Sequence, residues 1–149
     1  MEIEFVHVNI IAKDWKKLAR FYEKVFNCIP IPPVRNLSGE WIEKGTGIPG
    51  AAINGVHLKL PGYDDTGPTL EIFQYNKNIE HCGSVINKEG ITHIAFRVDN
   101  IEEVRNAVLK EGGKLIGEIV TVEIKGAGRV TFLYLTDPEG NIIELQKWS

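Results

Sequence analysis

Gly90-Ile91-Thr92-His93-Ile94-Ala95-Phe96-Arg97-Val98-Asp99-Asn100 restates an earlier part of the chain, Glu4-Phe5-Val6-His7-Val8-Asn9-Ile10-Ile11-Ala12-Lys13-Asp14. Each copy is a short apolar run with a histidine near its start. Each leads straight into a segment of helical spacing, residues 15–26 in the first case and 101–110 in the second. Self-similarity at a fixed offset marks a duplicated structure. The offset of 86 residues between His7 and His93 is too long for a solenoid repeat and suits two similar half-domains. The endings match too: Leu70-Glu71-Ile72-Phe73-Gln74 closes the first half and Ile143-Glu144-Leu145-Gln146 the second. Each half opens on a strand with a histidine and closes on a strand with a glutamate.

Outward from these anchors, residues 5–12 read as a buried strand, with Val6, Val8 and Ile10 on one face and Phe5, His7 and Asn9 on the other. Asp14 suits an N-cap, and Trp15, Leu18, Ala19, Phe21, Tyr22, Val25 and Phe26 form the apolar stripe of the helix after it. Pro30, Pro32 and Pro33 exclude further helix. Residues 35–50, with Gly39, Gly45, Gly47, Pro49 and Gly50, read as turn-rich, and Arg35 and Trp41 lie within them. Strands are predicted over 51–60 and 69–75, the latter placing Glu71 on a face with Thr69, Phe73 and Tyr75.

In the second half a strand over 91–98 precedes Asn100 and Glu103, which fit a capping box. Ile101, Val104, Ala107 and Val108 supply the helix stripe, and Gly112-Gly113 ends it. A strand is predicted over 114–122, then a Gly126-Ala127-Gly128 turn. Strands over 129–136 and 141–147 follow, joined by Asp137-Pro138-Glu139-Gly140, a type I turn by composition. The order is β-α-β-β-β twice, an α+β class. The expectation is one domain, 1–149, of two modules, about 1–78 and about 88–149, separated by a polar linker. Its two sheets would form a cupped mixed sheet around a central cavity, helices outside, with His7, Glu71, His93 and Glu144 pointing inward.

A length of 149 residues allows a real core, and a net charge of −3 gives no electrostatic reason to expect nucleic acid. No apolar run approaches the ~18 residues of a membrane-spanning helix. No basic-then-apolar leader opens the chain. Cys28 and Cys82, far apart, suit free thiols in a cytoplasmic protein, with a single disulfide as the alternative.

Two imidazoles and two carboxylates make a borderline donor set that suits Zn²⁺, Ni²⁺, Co²⁺, Fe²⁺ or Mn²⁺, and ligand type does not choose among them. A metal there would polarise a substrate oxygen, and a glutamate beside it would move a proton to or from carbon. Together these suit chemistry through an enediolate. His57, on a strand with no matching histidine in the other half, and His81, in the linker, are read as structural.

The chain resembles the vicinal oxygen chelate superfamily, which includes glyoxalase I, methylmalonyl-CoA epimerase, extradiol dioxygenases and fosfomycin- or bleomycin-resistance proteins. The matching pieces are Val6-His7-Val8, Arg20-Phe21-Tyr22, Leu70-Glu71-Ile72, Gly90 to Phe96, and Asp137-Pro138-Glu139-Gly140-Asn141-Ile142-Ile143-Glu144-Leu145. The resemblance implies paired βαβββ modules around a divalent metal whose ligands match His7, Glu71, His93 and Glu144. That set is most similar to bacterial-type glyoxalase I, which implies nickel or cobalt, a small substrate with vicinal oxygens, and a homodimer. On this reading the protein is a metal-dependent lyase or isomerase, with Glu144 or Glu71 shuttling the proton and Glu144 favoured as base. Arg20, Arg35, Trp41, Lys125 and Arg129 are the candidate substrate contacts. The alternatives are a methylmalonyl-CoA epimerase-like racemisation alpha to a thioester, or a resistance-type protein that sequesters a small molecule.

Overall fold

The computed structural model describes residues 1–80, 82, 83 and 85–149; His81 lies outside the described residues. The chain forms two compact units, Met1–Glu80 and His81–Ser149. The class is mixed α+β, as the duplicated pattern predicts.

The first unit contains β1 (His7–Ile11), α1 (Trp15–Phe26), β2 (Ile29–Ser38), α2 (Glu40–Thr46), β3 (Ala52–Lys59) and β4 (Thr69–Tyr75). Its sheet runs β1-β4-β3-β2, with β1 parallel to β4 and the other pairs antiparallel. Asp14 caps α1 by accepting from the Lys17 amide at 3.1 Å, which satisfies one of the free donors of the first turn. The helix buries Leu18, Ala19, Phe21, Tyr22 and Phe26 and packs against β3 and β4. Val56, Leu58, Leu70 and Ile72 of those strands are buried with it. Side chains alternate along a strand, so His57 and Glu71 project from the opposite face of the sheet.

The proline stretch predicted only to exclude helix forms β2. It sits at the sheet edge, where a residue without an N–H costs no ladder bond. The pairing with β3 is interrupted between Ile31 and Arg35, the interval that holds Pro32 and Pro33. The turn-rich segment contains α2, entered through Gly39 (φ 101°), left through Gly47 (φ 71°), and anchored by Ile42 against Ala51 and Ile53.

The second unit contains β5 (His93–Arg97), α3 (Ile101–Lys110), β6 (Lys114–Leu115), β7 (Val120–Ile124), β8 (Gly128–Thr136) and β9 (Ile142–Trp148). Its order is β5-β9-β8-β6, with β7 also on β8 and β5 parallel to β9. Asn100 caps α3 by accepting from the Glu103 amide at 3.2 Å. The strand predicted over 114–122 is two strands, because the Ile116 and Gly117 amides both converge on the Tyr134 carbonyl and interrupt the ladder. β6 and β7 together therefore occupy the edge position that β2 holds in the first unit. The predicted turn is present: the Gly140 amide donates to the Asp137 carbonyl at 3.1 Å. Among the described residues no helix is long and apolar enough to cross a membrane.

Candidate metal centre

In the first unit β1 lies parallel beside β4, which sets Asn9 opposite Glu71, and β3 on the other side sets His57 opposite Glu71. Glu71 is thus approached from both neighbouring strands. Its Oε2 accepts from Asn9 Nδ2 at 3.1 Å and lies 3.4 Å from His7 Nε2. Its Oε1 lies 3.0 Å from His57 Nε2. The His7 and His57 rings stand edge-on, 6.4 Å between centroids.

The second unit repeats this with different residues. β5 lies parallel beside β9, and Tyr134 of β8 stands opposite Glu144. Glu144 Oε2 lies 3.1 Å from His93 Nε2, and Oε1 accepts from Gln146 Nε2 at 2.7 Å. The Tyr134 phenol faces the Glu144 carboxylate from the neighbouring strand. Trp148 Nε1 donates to Gln146 Oε1 at 3.0 Å, and Thr92 Oγ1 lies 3.0 Å from His93 Nδ1, which fixes the ring from behind.

Both acids are buried, each 7 % exposed, and burial of an acid is tolerated only where partners satisfy its oxygens. Burial of His57 pushes its imidazole below its ordinary range; the Glu71 charge opposes this, while Arg35 and His7 add to it. The Tyr134 phenol is raised, chiefly by burial and then by the Glu144 charge. Each duplicated histidine meets the glutamate of its own half. Within the described residues no three His, Cys, Asp or Glu side chains are grouped so as to hold a metal ion; each unit has a histidine–glutamate contact, and in the first unit His57 adds a second imidazole to Glu71.

The remaining candidates scatter. Arg20 is exposed on α1, and Trp41 is 62 % exposed on α2. Lys125 is exposed in the β7–β8 turn, and Arg129 pairs across that hairpin with Glu123 at 3.5 Å. Arg35 is half-buried on β2, its guanidinium donating to the Pro33 carbonyl, and its charge reaches His57.

His57 is the residue that sequence reading missed. The sequence alone reads it as structural, because no histidine repeats it. Its register counterpart is Tyr134, a different residue in the same place. Strand parity together with hairpin register would have found it.

Residues 4–145 match the family model of the Glyoxalase/Bleomycin resistance protein/Dioxygenase superfamily. The chain belongs to that superfamily. A glyoxalase family protein from Bacillus cereus shares the fold with a TM-score of 0.77 at 21 % identity, covering 99 % of this chain and 94 % of that one. The fosfomycin resistance protein FosX from Listeria monocytogenes, in its monoclinic form, gives 0.61 at 20 %, covering 100 % and 94 %. The same protein complexed with Mn(II) and sulfate gives 0.56 at 16 %, covering 100 % and 95 %. No curated protein matches the chain. Identities this low carry the fold of the vicinal oxygen chelate superfamily and leave the reaction to be argued from the site.

Proposed function

We propose that this superfamily member is a metal-dependent lyase or isomerase of glyoxalase I type, moving a proton beside a carbonyl in a small substrate with vicinal oxygens. The observation that carries the reading is the repeated pairing of a histidine with a buried glutamate, His7 with Glu71 and His93 with Glu144. Four such donors match the coordination number and ligand types of a borderline divalent ion, with Ni²⁺ or Co²⁺ first and Zn²⁺, Fe²⁺ or Mn²⁺ next. When bound, the metal would act as a Lewis acid on the substrate oxygens.

The chain's own groups do the rest. Glu71 is tied by two imidazoles and the Asn9 amide, whereas Glu144 faces one imidazole, the Gln146 amide and the Tyr134 phenol. Fewer imidazoles compete for Glu144, so it is assigned as the base and Glu71 as the more firmly held ligand. Arg35, beside His57, is the best placed of the candidate substrate contacts. A homodimer in the cytoplasm, one domain spanning both modules, and pairs combined within a chain or across two chains complete the reading.

Growth in nickel, cobalt and zinc followed by metal analysis tests it first. The loaded protein is then assayed with the hemithioacetal of methylglyoxal and glutathione, with methylmalonyl-CoA, and with fosfomycin. Metal content near one ion per chain and turnover of the hemithioacetal are expected. Protein that stays metal-free in all three media removes the reading. Loaded protein that turns over methylmalonyl-CoA moves it to the epimerase class, and tight binding of fosfomycin or another small molecule without turnover moves it to the sequestering resistance class.

A further inference from the structure

We propose that His57 and Tyr134 are matched positioning residues, each holding from a neighbouring antiparallel strand the glutamate that its half contributes to the metal. The inference rests on the metal-dependent reading above and extends it to two residues outside the repeated His/Glu set. His57 is the direct partner of Glu71 on β3, and Tyr134 is the direct partner of Glu144 on β8. Directly opposed residues on one sheet face are the ones whose side chains touch. His57 Nε2 is 3.0 Å from Glu71 Oε1, and Tyr134 faces Glu144 across the ladder closely enough for that charge to raise the phenol.

The division of oxygens gives the contact its purpose. His57 takes Oε1 of Glu71 while His7 stands at Oε2. A carboxylate fixed at one oxygen presents the other in a set direction, and such outer partners orient a metal ligand and tune its affinity. Each brace is itself held by an aromatic edge: His57 packs edge-on against Phe73 at 5.5 Å, and Tyr134 against His93 at 5.3 Å and Phe132 at 5.8 Å. The halves have kept the position and changed the donor, an imidazole in one and a phenol in the other.

The test compares the parent with His57→Leu, His57→Gln and Tyr134→Phe as full-length chains. Mn²⁺ affinity is read from the electron paramagnetic resonance of the free ion, and ligand geometry from the visible absorption of bound Co²⁺. Thermal melting of each metal-free protein reads structure separately. Loss of the donor in H57L and Y134F is expected to weaken Mn²⁺ by about 10- to 100-fold and to shift the Co²⁺ bands. H57Q, which keeps an N–H donor, is expected to recover most of both. H57L and Y134F binding as the parent does, with unchanged bands, overturns the inference while leaving the metal reading intact. H57Q as weak as H57L also overturns it, because His57 then acts through its imidazole on the metal rather than as a brace. A parent that binds neither ion overturns the inference, and the reading falls with it only if the protein also stays metal-free after growth in nickel, cobalt and zinc.

Discussion

His57 Nε2 lies 3.0 Å from Glu71 Oε1, and the two residues are direct partners across the β3–β4 ladder. The contact joins a residue with no histidine counterpart to one that the duplication repeats. It also shows how the fold gathers polar groups around a buried acid. Parallel pairing of β1 with β4 brings one set of donors to the acid, and antiparallel pairing of β3 with β4 brings another.

Glu144→Gln keeps the volume and the hydrogen-bonding capacity beside Gln146 and Tyr134 while removing the proposed base. A positioned general base contributes about 10²–10⁴-fold. The turnover number of the variant, on the substrate that the assay panel identifies, is therefore expected to fall by about that factor. The metal-free melting temperature should change little. Turnover within a few-fold of the parent would assign the proton transfer elsewhere.

The duplicated fold was legible because its marks are local and occur twice: a histidine-bearing strand, a capped helix, a glutamate-bearing strand. The caps at Asp14 and Asn100 and the turn at Asp137 stand where composition put them. What was not legible depends on pairing between segments distant in sequence. β2 is a strand only because an edge tolerates Pro30, Pro32 and Pro33, and α2 forms because Ile42 finds Ala51 and Ile53. His7 with Glu71 and His93 with Glu144 followed from symmetry. His57 and Tyr134 did not, since residue identity differs where register is the same.

Gly55 is the direct β-ladder partner of Phe73, two residues from His57. A Cβ at Gly55 would collide with the Ile72 carbonyl oxygen and stand 2.9 Å from the Phe73 Cα, both backbone atoms that cannot swing aside. Gly55→Ala is therefore expected to destabilise the chain by about 1–3 kcal/mol. A lower urea midpoint at unchanged slope checks it. An unaltered midpoint would mean that β3 and β4 are not held so close.

The two cysteines should react at very different rates. Cys28 is buried, and its thiol is pushed up to about 12, chiefly by burial and further by the Glu23 charge, so thiolate is scarce at neutral pH. Cys82 is exposed. Titration of the native protein with an aromatic disulfide reagent at pH 8 should show one fast thiol, the second appearing only with denaturant. Two fast thiols would contradict the burial of Cys28.

Asp14 offers a pH-dependent test of helix capping. Its carboxyl is held below the ordinary 3.8, first by the Lys17 amide that bonds it. A carboxylate lowered by folding contributes stability that is complete above its unfolded value and lost as pH falls through the folded one. Asp14→Ala should thus melt below the parent at pH 7, and the gap should close in acid below the ordinary carboxylate value. Asp14→Asn, which caps without charge, should show a smaller gap that narrows over the same pH range, since either variant lacks the titrating carboxyl. A gap for Asp14→Ala that persists undiminished into acid would place the effect elsewhere.

Asp137 links the turn to the site. It is 1 % exposed; its Oδ1 accepts from the Glu139 and Asn141 amides at 2.9 Å each, and its Oδ2 from Asn141 Nδ2 at 2.7 Å. These bonds close the β8–β9 hairpin, and that hairpin sets Tyr134 opposite Glu144. Hydrogen bonds to a charged group are worth about 1.5–3 kcal/mol each, and a truncation leaves the donors unpaired. Asp137→Ala is therefore expected to cost about 3 kcal/mol or more by chemical denaturation. It should also weaken Mn²⁺ binding at temperatures where the variant is still folded, because a hairpin free to slip by one residue turns Glu144 to the other face. Asp137→Asn keeps the Oδ1 acceptor and loses the charge, and should fall between. If Asp137→Ala unfolds at the parent's midpoint, the backbone alone holds this turn. The register opposite Glu144 then has another source.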